Sequence, residues 1–288
     1  YITYRILDVA DLTVDGSLAT GGAVCVMLIR AGLNPWVALL CALLAGMLAG
    51  LVTGLLHTRC GIPAILSGIL TQLALYSVNL RIMASKANQA LSVDKYDLLL
   101  SQRYVRSLSL NNPLPLLLLF TVAVIAALYW FFGTEKGGSI RATGDNPNMA
   151  RAQGINTDSN IVLGLMLSNG LVALSGALLA QYQGSSDINM GRGAIVIGLA
   201  AVIISEVLFG KLFVNFGLKL FAVSIGAIVY YIVLQFVLQL GLNTNDLKLF
   251  TAIIVAIFLA VPHLQAQAKS SFSHAKKLSE KERSEKSC

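Results

Sequence analysis

Charge is scarce in this sequence. Asp, Glu, Lys and Arg make up 12% of its 288 residues, about half the share of an ordinary soluble domain. A soluble globular class is thereby excluded. The four cysteines and three histidines are equally uninformative as ligands. Cys25, Cys41, Cys60 and Cys288 form no pair at metal-ligand spacing, and His57, His263 and His274 are isolated from one another. Neither a zinc site nor a disulfide framework is expected. No G-x-x-x-x-G-K-[ST] occurs, so any ATP that drives this protein must bind another chain. No H-E-x-x-H and no paired intramembrane carboxylates occur either, which argues against a membrane-embedded enzyme. No cofactor and no nucleic-acid partner is expected for the chain itself.

Apolar residues are abundant, at 56%. Several runs approach the ~20 residues needed to cross a ~30 Å hydrocarbon core. The spans read as Leu12–Ile29, Pro35–Leu56, Ile62–Met83, Leu114–Phe132, Ile161–Gln181, Ala194–Phe209, Leu212–Leu240 and Leu247–Val261. These runs show no sustained period-2 alternation of the kind a transmembrane barrel needs. The fold class expected is an all-α polytopic membrane protein with about eight transmembrane helices. Tyr1–Leu7 reads like the end of an apolar segment, so a further helix is expected before it. Residues 1–262 form the membrane domain in this reading, and the charged stretch 263–288 a tail that is either solvated or in contact with anionic lipid headgroups.

Lys and Arg set orientation. With the tail inside, the basic excess lies on that side, but the tail alone supplies it: without the tail the other side is the more basic by one residue. Arg30, Arg81, Lys86, Lys95, Arg103, Arg106, Arg192 and Lys248 fall in the opposite, outer loops.

One polar stretch interrupts the oil: "RATGDNPNMARAQGIN", Arg141 to Asn156. Asn146 or Asp145 can cap a helix there, Pro147 suits its first position, and Gly154 can end it at positive φ. Thr157, Asp158 and Ser159 offer caps for the next span. A two-turn helix is far below the length at which helices persist alone in water. Something else must hold it, unless the stretch is a simple surface loop.

The run "GGSIRATGDNPNMARAQGIN", followed by "IVLGLMLSNGLVALSGALLAQ", resembles the coupling-loop region of ABC importer permeases of the branched-chain amino acid and ribose permease family. "ILDVADLTVDGSLATGGAV" resembles that family's early helix break, and "GAIVIGLAAVIISEVLFG" its late Gly- and Ala-rich segment. The likeness is greatest to the single-permease branch associated with aromatic amino acids. It implies a passive pore subunit, in the bacterial cell membrane, that pairs with a second copy of itself. It also implies a cytosolic ATPase dimer that binds ATP and Mg, and an extracytoplasmic substrate-binding protein. In it, 135–160 would be a cytoplasmic coupling loop whose helix, Pro147 to Gln153, sits in a groove of the ATPase. Asn146, Pro147 and Gly154 would shape that helix, Met149, Ala150 and Ala152 would enter the groove, and Arg141 and Arg151 would add charge-assisted contacts.

Other residues fit a transport pathway. Asp15 should either face a polar interior, in a broken or half-membrane helix, or sit at the interface as the cap of a helix starting after Thr13. Ser67, Thr71 and Gln72 in one span, and Ser168, Asn169 and Ser175 in another, either line the pathway or bond between helices. Gly46, Gly50 and Gly54 form a tandem G-x-x-x-G ridge for close helix packing. The loop 84–112 would face outward, where its basic residues can dock a binding protein or simply hold a structured turn. An ion-coupled secondary transporter is the rival class, with Asp15 its only support, and a sugar or nucleoside is the rival cargo.

Overall fold

The computed structural model describes residues 1–92, 95–96, 98–101, 113–210 and 215–239, with isolated helical positions beyond. The chain divides into two compact units, Tyr1–Ile195 and Val196–Cys288.

The first unit opens with a six-residue π-helix, Ile2–Leu7, that ends at Asp8 in the left-handed region, φ 53°. An irregular stretch then leads to α1 (Val14–Arg30), α2 (Pro35–Thr58) and α3 (Ala64–Ile82). α4 (Pro113–Gly133), α5 (Glu135–Asp145), α6 (Pro147–Ala152) and α7 (Thr157–Gln183) follow. The strands β1 (Asn88–Ala90) and β2 (Ser185–Asp187) pair antiparallel, with Gln89 opposite Ser186. The outer loop foreseen at 84–112 thus contributes a strand; its Arg103 and Arg106 lie outside the described residues.

The core is a trio of α1, α2 and α7 held at backbone contact. The G-x-x-x-G ridge of α2 lies against α7: a Cβ on Gly46 would overlap Asn169 O and Ala173 Cβ, and one on Gly50 would overlap Leu165 O. From the other side, Gly21 of α1 meets the Ala173 backbone and Gly176 of α7 meets that of Leu18. Small residues let the backbones approach, and dispersion contacts replace the hydrophobic drive that lipid cannot supply. The opposite face of α2, with Leu40, Leu44, Leu48 and Val52, is exposed, as a lipid-facing surface requires.

The second unit contains most of α8 (Ala194–Phe209) and all of α9 (Phe216–Gln239). Ala200, Ile204 and Tyr230 form its buried cluster. Gly226 lets α9 reach the α8 backbone at Ala201 and Ser205.

Among the described residues, five helices are long and apolar enough to cross a membrane: α2, α3, α4, α7 and residues Phe216–Phe236 of α9. Two of the eight expected spans are shorter. α8 has 16 residues, and the span expected at Leu12–Ile29 is a 17-residue helix that starts later, at Val14. The eighth, Leu247–Val261, falls mostly outside the described residues.

Candidate functional site

The polar helix foreseen around Pro147 is α6, six residues long. Asn146 is its N-cap, with Oδ1 accepting the Met149 N–H at 3.0 Å, while Asp145 closes the preceding helix instead. Pro147 takes the first position and Gly154 the left-handed one, φ 78°. Not foreseen was α5, an 11-residue helix packed before it. Asn156, rather than Thr157, Asp158 or Ser159, caps α7, its Oδ1 accepting the Ser159 N–H at 3.1 Å. Asn's short amide reaches the third amide on from an extended backbone, and Asn156 has that backbone while Thr157 is already helical.

The surroundings of α6 are braced. Asn160 Nδ2 of α7 donates to Thr143 Oγ1 of α5 at 2.9 Å, and both residues are buried. Arg141 donates to Phe132 O at the end of α4, 2.6 Å. Arg151 donates to Thr157 Oγ1 at 2.8 Å and pairs with Asp158 at 3.4 Å. On α6 itself Ala150 is buried, whereas Met149 is 63% exposed. An apolar, flexible side chain thus projects from a polar corner.

A second site lies in the interior. Asp11, in the irregular stretch before α1, is buried. Its Oδ1 accepts the Thr13 N–H at 2.9 Å and its Oδ2 accepts Asn169 Nδ2 at 2.7 Å. Ser17 Oγ donates to Asn169 Oδ1 at 2.6 Å, and the Thr13 and Thr53 hydroxyls share a hydrogen bond of 2.8 Å. α1, α2 and α7 are therefore joined by one satisfied polar knot. Asn169 sits about 18 Å from the start of α7 and about 21 Å from its end at 1.5 Å per residue, near the middle of this 27-residue helix.

Asp15, one turn away, does not cap α1. Thr13 holds that position, and the Asp15 carboxylate accepts the N–H groups of Gly193 (3.1 Å) and Ile195 (3.2 Å) at the start of α8. The helix break foreseen in this region falls at residues 8–13, before α1.

The other pathway candidates are placed separately. Ser67 and Thr71 are buried on α3, each donating to a carbonyl of that same helix, Ala64 O and Ser67 O. Gln72 is half-buried where α3 passes Gly16, and Ser168 is half-buried next to Asn169 on α7. Asp11, Thr13, Ser17 and Thr53 were missed from the sequence. Asp11 alone carried a usable signal, as a carboxylate beside an apolar run.

The match to known proteins covers both sites. The family of branched-chain amino acid transport system permease components matches residues 1–262. The chain belongs to that family. Among its relatives is a tyrosine transport system permease protein of Clostridioides difficile (strain R20291), 41% identical over 94% of this chain and 88% of the relative. An uncharacterized protein of Rickettsia prowazekii (strain Madrid E) is 38% identical over 90% of each. A nucleoside ABC transporter permease of Lactococcus lactis subsp. cremoris (strain MG1363) is 36% identical over 32% of this chain and 28% of the relative. No solved structure matches. This chain is accordingly a multi-pass membrane protein and a permease component of a transport system. Membership of an ABC transport family implies an ATPase and a substrate-binding protein as partners.

Proposed function

We propose that this permease forms the translocation pathway of an importer for an aromatic or hydrophobic amino acid, with α6 as the element through which an ATPase acts on it. The observation that carries the coupling role is α6 itself. Six residues cannot sustain a helix in water, yet this one is capped at its start, closed by Gly154, and presents Met149 outward. A groove in a partner supplies the missing packing. Asn146, Pro147 and Gly154 shape the helix, Met149 fills the groove, and Arg151 lies at its rim. Buried Ala150 seats α6, and Arg141, on the exposed side of α5, ties it to α4 through Phe132 O.

In this reading the loop 135–160 and the tail 263–288 lie in the cytoplasm, the paired strands β1 and β2 face the binding protein, and 1–262 is the membrane domain. Two copies of the permease form the pore over an ATPase dimer, which binds the ATP and Mg and performs the hydrolysis. Asp15 and Asn169 are the pathway residues that order its centre, with Ser67, Thr71, Gln72 and Ser168 as candidate lining. The tyrosine permease of Clostridioides difficile, alike over almost the full chain, favours an amino acid. A nucleoside cargo has support over a third of the chain only.

Affinity purification from the native membrane in mild detergent tests the coupling role, with Pro147–Gly154 replaced by a glycine-serine linker alongside. An ATPase subunit should come down with the original chain and not with the replacement. Retention of the ATPase by the replacement would remove α6 from the coupling role. If no ATPase accompanies the intact permease, an ion-driven carrier becomes the better description.

A further inference from the structure

Arg192 belongs by sequence to an outer loop, but the loop does not stay at the outer end. After α7 closes at Gly184, φ 68°, the chain turns back along α1. Ser186 Oγ and Met190 Sδ lie within 2.9 Å of where a Cβ on Gly22 would stand, and Gly191 lies directly against the Asp15 backbone. Asp15 is about 22 Å along the α1 axis from Arg30, whose guanidinium bonds Gln89 of β1. It is also two residues from Ser17, which bonds the midpoint of α7. The re-entrant loop therefore delivers Arg192 to the middle depth of the bundle. There the backbone reverses at Gly193, φ 91°, and α8 begins.

The Arg192 side chain is exposed, and makes no ion pair or hydrogen bond among the described residues. The Asp15 carboxylate, beside this loop, already has both oxygens on the Gly193 and Ile195 amides. An unpaired guanidinium at that depth is not stable against hydrocarbon. Irregular backbone is likewise tolerated there only where it is covered by protein or faces a water-filled cavity. An exposed arginine on such a loop faces water, and its planar fork is matched to a carboxylate.

We propose that Arg192 lines the translocation pathway and pairs with the carboxylate of the transported amino acid during passage. This rests on the amino-acid importer reading above. The segment 184–193 is held in place by the Asp15 carboxylate on the Gly193 amide and by Gly191 at contact with the α1 backbone, so the guanidinium is positioned by backbone that cannot readily drift.

The test uses the permease reconstituted with its ATPase in vesicles, with binding protein and labelled tyrosine. Arg192→Gln should lower uptake about tenfold, the usual loss for one charge-assisted bond, while binding-protein-stimulated ATP hydrolysis stays near the original. Arg192→Lys, which keeps the charge, should recover part of the uptake. In a background with the native cysteines replaced by serine, Arg192→Cys should react with a membrane-impermeant anionic thiol reagent and be protected by tyrosine. Unchanged uptake by Arg192→Gln, or a cysteine unreactive from both sides, would overturn the assignment. Should Arg192→Gln fail to assemble, the cysteine reactivity decides. If the original complex accumulates no tyrosine, the amino-acid reading fails first, and a reactive but unprotected cysteine would then leave Arg192 without its proposed ligand and refute the pairing.

Discussion

The two polar regions of this permease are built in opposite ways. Around α6 the bonds that shape the helix and its exit close within a few residues: Asn146 to Met149, Asn156 to Ser159, Arg151 to Thr157 and Asp158. In the knot at mid-depth, Asp11 and Ser17 reach Asn169, and Thr13 reaches Thr53. The first region is exposed and shaped by local chemistry; the second is buried and exists only once three helices have met. Local caps make an element that can be gripped from outside without disturbing the core. Non-local bonds make a junction that fails as a whole.

That contrast can be broken most severely at the packing beneath the knot. Gly50→Leu should force α2 and α7 apart, because even a Cβ there overlaps Leu165 O and backbone cannot yield as a side chain tip can. Overpacking costs about 1–3 kcal/mol in ordinary cores, and a rigid backbone contact lies at the upper end. Yield in detergent and Tm should both fall sharply. An unchanged Tm would mean that the α2–α7 contact is not what holds the trio.

Asp11→Ala comes next. It strands the Thr13 N–H and one Asn169 donor in the interior, a loss of roughly 1–3 kcal/mol for a buried unsatisfied group. Asp11→Asn keeps one acceptor oxygen and should lie between Ala and the original. Thermal unfolding in detergent ranks the three; equal stability for Ala and Asn would show that the carboxylate's two-armed acceptance is unimportant.

The smallest effect belongs to the exposed region. Asn146→Ala removes a cap, worth ~1 kcal/mol, on an element that contributes little to the bundle. Tm should scarcely move, while ATPase co-purification weakens and Asn146→Ser restores it. A Tm drop as large as that of Asp11→Ala would erase the distinction between gripped handle and structural junction.

Legibility in the sequence followed the same division. Asn146, Pro147 and Gly154 announce a capped helix because each acts on amides within one turn of itself. The apolar runs announce α2, α3, α4 and α7 because membrane spans need little more than length and composition. The ridge Gly46, Gly50, Gly54 announced close packing, though not the partner. Asn156 was passed over because four consecutive residues can all cap, and backbone conformation alone selects among them. Asp11 with Asn169, and Asp15 with the start of α8, join residues more than 150 positions apart. No spacing rule spans that distance. Arg192 was assigned to an outer loop because positive charge between two spans ordinarily stays at the surface; the glycines that let the loop descend are visible only as contacts.

The buried bond between Thr143 and Asn160 gives α6 a mechanical character. α5 and α7 are the two legs of a bracket, α6 is its apex, and Asn160 is the crossbar that stops the legs from splaying. In the proposed coupling role, a push on Met149 would travel as thrust along α5 and α7 instead of bending the corner. The α5 leg rests at Gly144 on the backbone of Ile6 and Leu7, so part of that thrust arrives at the foot of the π-helix, a few residues short of Asp11.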